Sequence, residues 1–317
     1  MSKLSFNLND ISKYKLELMG ISTLLILLCH APAHIPEMPA LLSRLLTSCA
    51  YGVDVFLFLS GMGLWYSFQK IKDKRSLLEW YKKRYLRLLL PCFIVQLLFI
   101  SKPNIVQHIL FFTGISYYIK GDGFWFVDML IPLYLITPLL IKIDEHKHGT
   151  LLLGLFSILC FLFCAIPSNN AVMVHTKQVI TRIPSFLWGI MLAKYIRNGV
   201  LLNSLIIPFL VLPVMGIFAK CFVSSDIMFG PFVAPMIIII CCNLLNNIDF
   251  NLGWVRLLGR LSLESYLLNV SFSFILEKSL IDTLPRSVIY VISVILGTLL
   301  AYLLHLFTKS IFERLSK

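Results

Sequence analysis

Apolar and polar residues alternate along this chain in blocks of about twenty. Apolar runs cover 16–35, 51–68, 86–101, 124–142, 149–166, 178–196, 201–220, 229–245, 259–276 and 287–308. A hydrocarbon layer about 30 Å thick needs ~20 residues of helix, so the pattern predicts about ten transmembrane helices. The strands of a membrane β-barrel would alternate apolar and polar residues, which these runs do not. The expected fold is all-α, a polytopic integral membrane helical bundle. The fourth and sixth runs hold Pro132, Pro138 and Pro184. Such breaks are tolerated where neighbouring helices or water satisfy the freed carbonyls. Loops are short and no low-complexity linker separates the runs, so residues 1–317 read as a single domain.

Composition agrees with this pattern. Hydrophobic residues make up 58% of the chain and charged residues 14%, too little charge for a soluble domain of 317 residues. The net charge of +12 changes the picture only through its distribution. Basic residues cluster between apolar runs, as membrane topology requires, and no run forms an arm for nucleic acid. With the N-terminus in the cytoplasm, 20 of the 28 Lys and Arg fall inside and 8 outside. An even number of spans then puts both termini of this multi-pass protein in the cytoplasm. The eight cysteines form no CxxC pair and read as small apolar residues, not as a metal or disulfide set. Residues 21–29 followed by Ala31-Pro32-Ala33 resemble a cleaved signal sequence. Retention is expected, because cleavage would discard the polar residues around which the rest of the sequence is arranged.

Candidate chemistry begins at His30, which ends the first apolar run. An imidazole titrates near neutral pH and is costly to bury, so it is a candidate base; seated among headgroups, it would only bind water. Positions 19 and 30 are eleven residues apart, which places them on one helix face about 16 Å apart along the axis. Position 19 is Met19, which carries no charge; Lys15, one turn earlier on the same face, has a side chain long enough to snorkel. Glu17 faces elsewhere, with Lys13 as its expected partner at i−4.

Asp54, in GVDVF at the outer end of the second run, is placed at the depth of His30. A carboxylate beside an imidazole fixes its tautomer and raises its basicity. The alternative is an acid at a helix N-terminus, stabilised by the dipole. Ser60, Gly61 and Gly63 read first as close-packing positions. Arg84 and Arg87, i and i+3 at the basic entry to the third run, offer guanidinium forks to a phosphate; anionic lipid is the other reading. Asp128 lies about one turn inside the outer surface, near Trp125 and Tyr134. Arg182 and Glu264 are charges in need of partners. Walker, GxSxG, zinc and dinucleotide motifs are absent.

The order of these motifs resembles that of the acyltransferase 3 family. In sequence they are LxGIxxLxxxxxH ending in His30, GVDVFLFLSG, WYKKRYLRLLLP, WFVxxLxxLYLxxPL, RxxxFLxGxxxA and LGRLSLESYLLN. The resemblance runs from Glu17 to Asn269. It implies a membrane enzyme that moves an acyl group, usually acetyl from acetyl-CoA, onto a hydroxyl of a glycan or lipid-linked saccharide at the cell surface. The family's essential histidine would be His30; the residues themselves offer Asp54 or Asp128 as the candidate catalytic acid that tunes it. Arg84 and Arg87, with Lys15, would hold the CoA phosphates, and no metal is expected. The family's cation eleven residues before the histidine is here Met19, and its closing YLxH ends here in Asn269. Expected partners are membrane lipid and the saccharide acceptor, with a homodimer allowed and nucleic acid excluded. The alternatives are a transporter or flippase for a glycan or lipid intermediate, or an inert member of the family.

Overall fold

The computed structural model describes residues 6–99, 106, 109–110, 113–121, 123–202, 230–247 and 252–315. Nearly all of the described chain is helical. Five stretches are long and apolar enough to cross a membrane: Lys15–His34, Ala40–Phe68, Trp125–Glu145, Ala171–Arg197 and Arg286–Leu315. Gly149–Ala165 and Gly230–Asn246 are apolar but shorter. Of the ten predicted spans, 201–220 lies outside the described residues after position 202. The runs at 86–101 and 259–276 fall in helices Lys74–Phe99 and Ser262–Leu280. The first of these opens with Lys74, Arg75, Lys82, Lys83, Arg84 and Arg87, and the second carries Glu264, Glu277 and Lys278. These charges keep both below the apolarity of a simple span.

The chain forms two compact units. The first comprises Met1–Ser22, Ala50–Lys70 and Ile136–Gly259. It holds a two-stranded antiparallel pair, β1 (Phe6–Asn7) and β2 (Leu201–Leu202). Its helices are α1 (Asn9–Lys13), the start of α2 (Lys15–His34), α4 (Gly52–Phe68), the end of α7 (Trp125–Glu145), α8 (Gly149–Ala165), α9 (Ala171–Ile180), α10 (Ile183–Arg197), α11 (Gly230–Asn246) and α12 (Gly253–Arg260). Helices α4 and α10 form its centre. A side chain at Gly61 would meet the Phe186 carbonyl at 2.2 Å, and one at Gly189 would meet the Phe58 carbonyl at 2.0 Å. Two glycines facing each other's backbones let the helices touch, the small-residue packing that membrane helices use in place of a hydrophobic driving force. Phe58, Met62, Phe186, Leu187 and Ile190 fill the core around that crossing.

A second glycine pair corrects the sequence reading of Glu17. Helix α12 lies against the start of α2, with Gly20 facing the Val255 carbonyl and Gly259 facing the Leu16 carbonyl. This approach brings Arg256 Nε to 2.6 Å from the buried Glu17 carboxylate. Lys13 instead donates to Asn246 Oδ1 at 3.2 Å. Helical spacing offered Lys13 as the partner, but a buried carboxylate follows the cation that packing delivers.

The second unit comprises Thr23–Cys49, Ile71–Leu135 and Arg260–Lys317. It contains the outer part of α2, α3 (Ala40–Ser48), α5 (Lys74–Phe99), α6 (Ile115–Lys120), the first half of α7, α13 (Ser262–Leu280) and α14 (Arg286–Leu315). Helices α13 and α14 pack along each other, and α5 lies against both. Gly297 opens space on α14 for the buried Asn269 side chain. The start of α7 seats on α13 through Tyr266, whose ring meets Phe124 and Phe126 edge-on. Tyr81 and Tyr85 of α5 donate their hydroxyl protons to the carbonyls of Leu135 and Ile131 on α7, at 2.8 and 2.9 Å.

Candidate active site

His30 stands in the second unit, on the outer part of α2. Its Nδ1 lies 2.7 Å from the carbonyl of Ile26, one turn back on the same helix. A carbonyl can only accept, so Nδ1 carries the proton and the basic lone pair sits on Nε2. A neutral imidazole in a fixed tautomer can remove a proton from a hydroxyl or attack a carbonyl carbon. Half-buried His30 therefore has its tautomer chosen by its own helix.

Asp54 belongs to the first unit. It is fully buried in the first turn of α4. Arg182 Nη1 lies 2.5 Å from its Oδ2, and Ser185 donates to Oδ1 at 2.7 Å. A side chain at Gly230 would collide with the Asp54 carboxylate, so the N-terminus of α11 closes directly on it. Arg182, which the sequence left without a partner, is thus matched to Asp54, and also donates to the Ala50 carbonyl at 3.3 Å. Both charges are compensated within one unit. This is the arrangement a buried ion pair requires.

Asp128 is buried in the first turn of α7, in the second unit. Gly114, with φ of +73°, turns the chain into α6 directly over the Asp128 Cα and Cβ. Arg84 is half-buried, with its guanidinium 5.9 Å from the Trp80 ring, whereas Arg87 is exposed. Lys15 lies in the first unit, its ammonium laid over Gly63 of α4, where any side chain would come within 2.5 Å of it. His30, Asp128, Arg84 and Arg87 therefore fall in one unit, and Asp54 and Lys15 in the other. Asp122, in a Gly-Asp-Gly stretch just before Trp125 in the sequence, lies outside the described residues. Among the described residues, no three His, Cys, Asp or Glu side chains gather as a metal site, and seven cysteines are free thiols.

The family described as acyltransferase domain, acyltransferase 3, matches residues 18–306. The chain belongs to the acyltransferase 3 family. No curated protein and no solved structure matches it. The matched region contains His30, Asp54, Arg84, Arg87 and Asp128, and begins after Lys15. This acyltransferase 3 protein is a membrane protein built from apolar helices, and a membrane acyltransferase in general class.

Two imidazole–carboxylate pairs escaped the sequence reading, both in the second unit. His34 Nδ1 lies 2.9 Å from Glu277 Oε2, and His305 Nδ1 lies 2.9 Å from Glu264 Oε1. Glu264 stands in the first turn of α13 and Glu277 in its last. The sequence signal for Glu264 was its position inside an apolar run. His34 gave none, because its partner is 243 positions away.

Proposed function

We propose that the protein transfers an acyl group, acetyl in the first instance, from acyl-CoA to a hydroxyl of a cell-surface glycan or lipid-linked saccharide. The membership in the acyltransferase 3 family carries the class of reaction. The observation that carries the chemistry is the His30–Ile26 hydrogen bond, which leaves Nε2 as the base. In this reading, His30 Nε2 removes the acceptor hydroxyl proton. The acceptor oxygen attacks the thioester carbonyl, the C–S bond breaks, and the thiolate takes the proton as CoA leaves. Asp128, buried in the same unit, contributes a fixed carboxyl group. Arg84 and Arg87 serve the CoA phosphates, because guanidinium groups pair with phosphate. The setting is a bacterial inner membrane with both termini cytoplasmic, where CoA is supplied.

Membranes containing wild-type protein, His30→Ala or neither, supplied with labelled acetyl-CoA, test this. Label entering glycan or lipid fractions with wild type and lost in His30→Ala is the expected result. Label unchanged in a folded His30→Ala protein would overturn the assignment to His30. No label with folded wild type would overturn the acetyl-CoA reading.

A further inference from the structure

Helix α2 carries a second imidazole one turn beyond His30. On one face of an α-helix, residues four apart have Cβ atoms about 5–6 Å from each other. His34 and His30 therefore neighbour each other within the second unit, but their surroundings differ. The Nδ1 of His30 meets a neutral carbonyl. That of His34 meets the Glu277 carboxylate at 2.9 Å. His34 is buried, and its ring stacks on Tyr290 with centroids 5.2 Å apart and planes inclined by 22°. The Tyr290 hydroxyl donates in turn to the Leu27 carbonyl of α2. Three helices thus fix one imidazole in position, plane and tautomer.

That construction is what an acid–base residue needs. A carboxylate at Nδ1 holds the ring in the tautomer with its lone pair on Nε2, and stabilises the imidazolium formed when Nε2 takes a proton. A carbonyl dipole, as at His30, does the first but contributes far less to the second. Of these two imidazoles one turn apart, His34 is the one with a carboxylate at Nδ1. The pair His305–Glu264 has the same chemistry but stands at the opposite end of α13, away from His30.

We infer that His34, positioned by Glu277, is a second acid–base residue of the acyl transfer. This rests on the acyl-transfer reading above. The acceptor proton taken by His30 Nε2 passes to His34, directly or through one water, as the acceptor oxygen bonds to the acyl carbon and the C–S bond breaks. The imidazolium of His34, balanced by Glu277, then returns that proton through His30 to the thiolate. CoA leaves as the thiol, and both imidazoles are neutral again. No oxidant or further reactant enters.

The test has an activity arm and a chemical arm. His34→Gln keeps a hydrogen-bonding side chain opposite Glu277 but cannot relay a proton. It should lose roughly 10²-fold in kcat, with KM for acetyl-CoA within about twofold. Free imidazole should restore part of the activity of His34→Ala. Glu277→Gln should fall in between, and Glu277→Asp should recover toward wild type. The chemical arm reads carbethoxylation of each histidine by diethyl pyrocarbonate in purified, monodisperse protein. The exposed His146 and His148 serve as internal references. The rate of His34 carbethoxylation should change severalfold in Glu277→Gln, with the references unchanged. Full kcat in His34→Gln overturns the proposal, as does carbethoxylation of His34 that ignores Glu277. Failure of the acyl-transfer reading looks different. Wild type would then transfer no label while His34 still reacts in a Glu277-dependent way, which keeps the basic dyad and overturns the relay in acyl transfer.

Discussion

Arg182 and Asp54 form an ion pair from which water is almost wholly excluded: the Asp54 side chain is 0% exposed and that of Arg182 4%. Removing one partner strands the other charge in an apolar interior, which costs about 3–5 kcal/mol. Arg182→Leu and Asp54→Leu should each abolish the monodisperse peak in detergent gel filtration, or lower the melting temperature steeply. The double variant should recover much of that loss, since two apolar side chains leave no orphan charge. Equal loss in the double and single variants would mean that the pair is not a self-contained unit.

The α4–α10 crossing depends on Gly61 and Gly189, each against the other helix's backbone. Neither glycine needs unusual dihedral angles here; what each needs is space. Gly189→Val should force the helices apart and cost about 1–3 kcal/mol, as overpacking does. Gly154, which has nothing within 4 Å of a Cβ position, is the control. Gly154→Ala should melt with wild type in the same thermal assay.

The fold class was legible because a membrane imposes one rule on every span, long apolar helix, and that rule is written in composition. The candidate site was legible only in part. His30, Asp54, Asp128 and Arg182 stood out as polar groups in apolar runs, which marks a residue as costly but does not say what compensates it. Asp54 and Arg182 are 128 positions apart, and Glu17 and Arg256 are 239 apart. Periodicity reaches four residues, so it offered Lys13 to Glu17 and nothing to Arg182. The glycines that allow these approaches, Gly20, Gly259 and Gly230, look in sequence like any others. His34 went unread for a related reason: it lies past Pro32, where the apolar run was ending, and its carboxylate comes from α13.

The entry to α5 gives a pH prediction outside the membrane. Asp73 Oδ1 accepts from the Ser76 backbone N–H at 2.7 Å, while Ser76 Oγ accepts from the backbone N–H of Asp73 at 3.0 Å. This reciprocal cap satisfies the first turn of the helix that carries Arg84 and Arg87. The Ser76 backbone and side-chain hydrogen bonds hold the Asp73 carboxyl below its ordinary range. A depressed folded-state value means the cap contributes fully above the usual aspartate pKa and is lost as pH falls through the lower, folded value. Backbone exchange at residues 74–77 should accelerate in that acid window in wild type, and at neutral pH in Asp73→Ala. Exchange that is slow and pH-independent in both, once corrected for intrinsic rates, would show that the cap is not what holds this turn.

Met19 leaves the first apolar helix without a charge eleven residues before His30. Lys15 precedes it by one turn on α2, and its ammonium lies where a side chain at Gly63 would meet it. If Lys15 supplies the cation that the acyltransferase 3 pattern places at position 19, three variants should form an ordered series. Lys15→Met should lose at least about tenfold in acetyl transfer, the scale of one charge-assisted contact of roughly 1.5–3 kcal/mol. Lys15→Met with Met19→Arg should regain most of it, because the guanidinium returns on the same face one turn closer to His30. Gly63→Val should mimic the loss by displacing the ammonium without removing it. Met19→Arg alone should gain little, since the position already has its charge and a second cation nearby repels the first. A large gain from Met19→Arg alone, with Lys15→Met silent, would assign the low charge at position 19 to an impaired enzyme and leave Lys15 a role at the membrane surface.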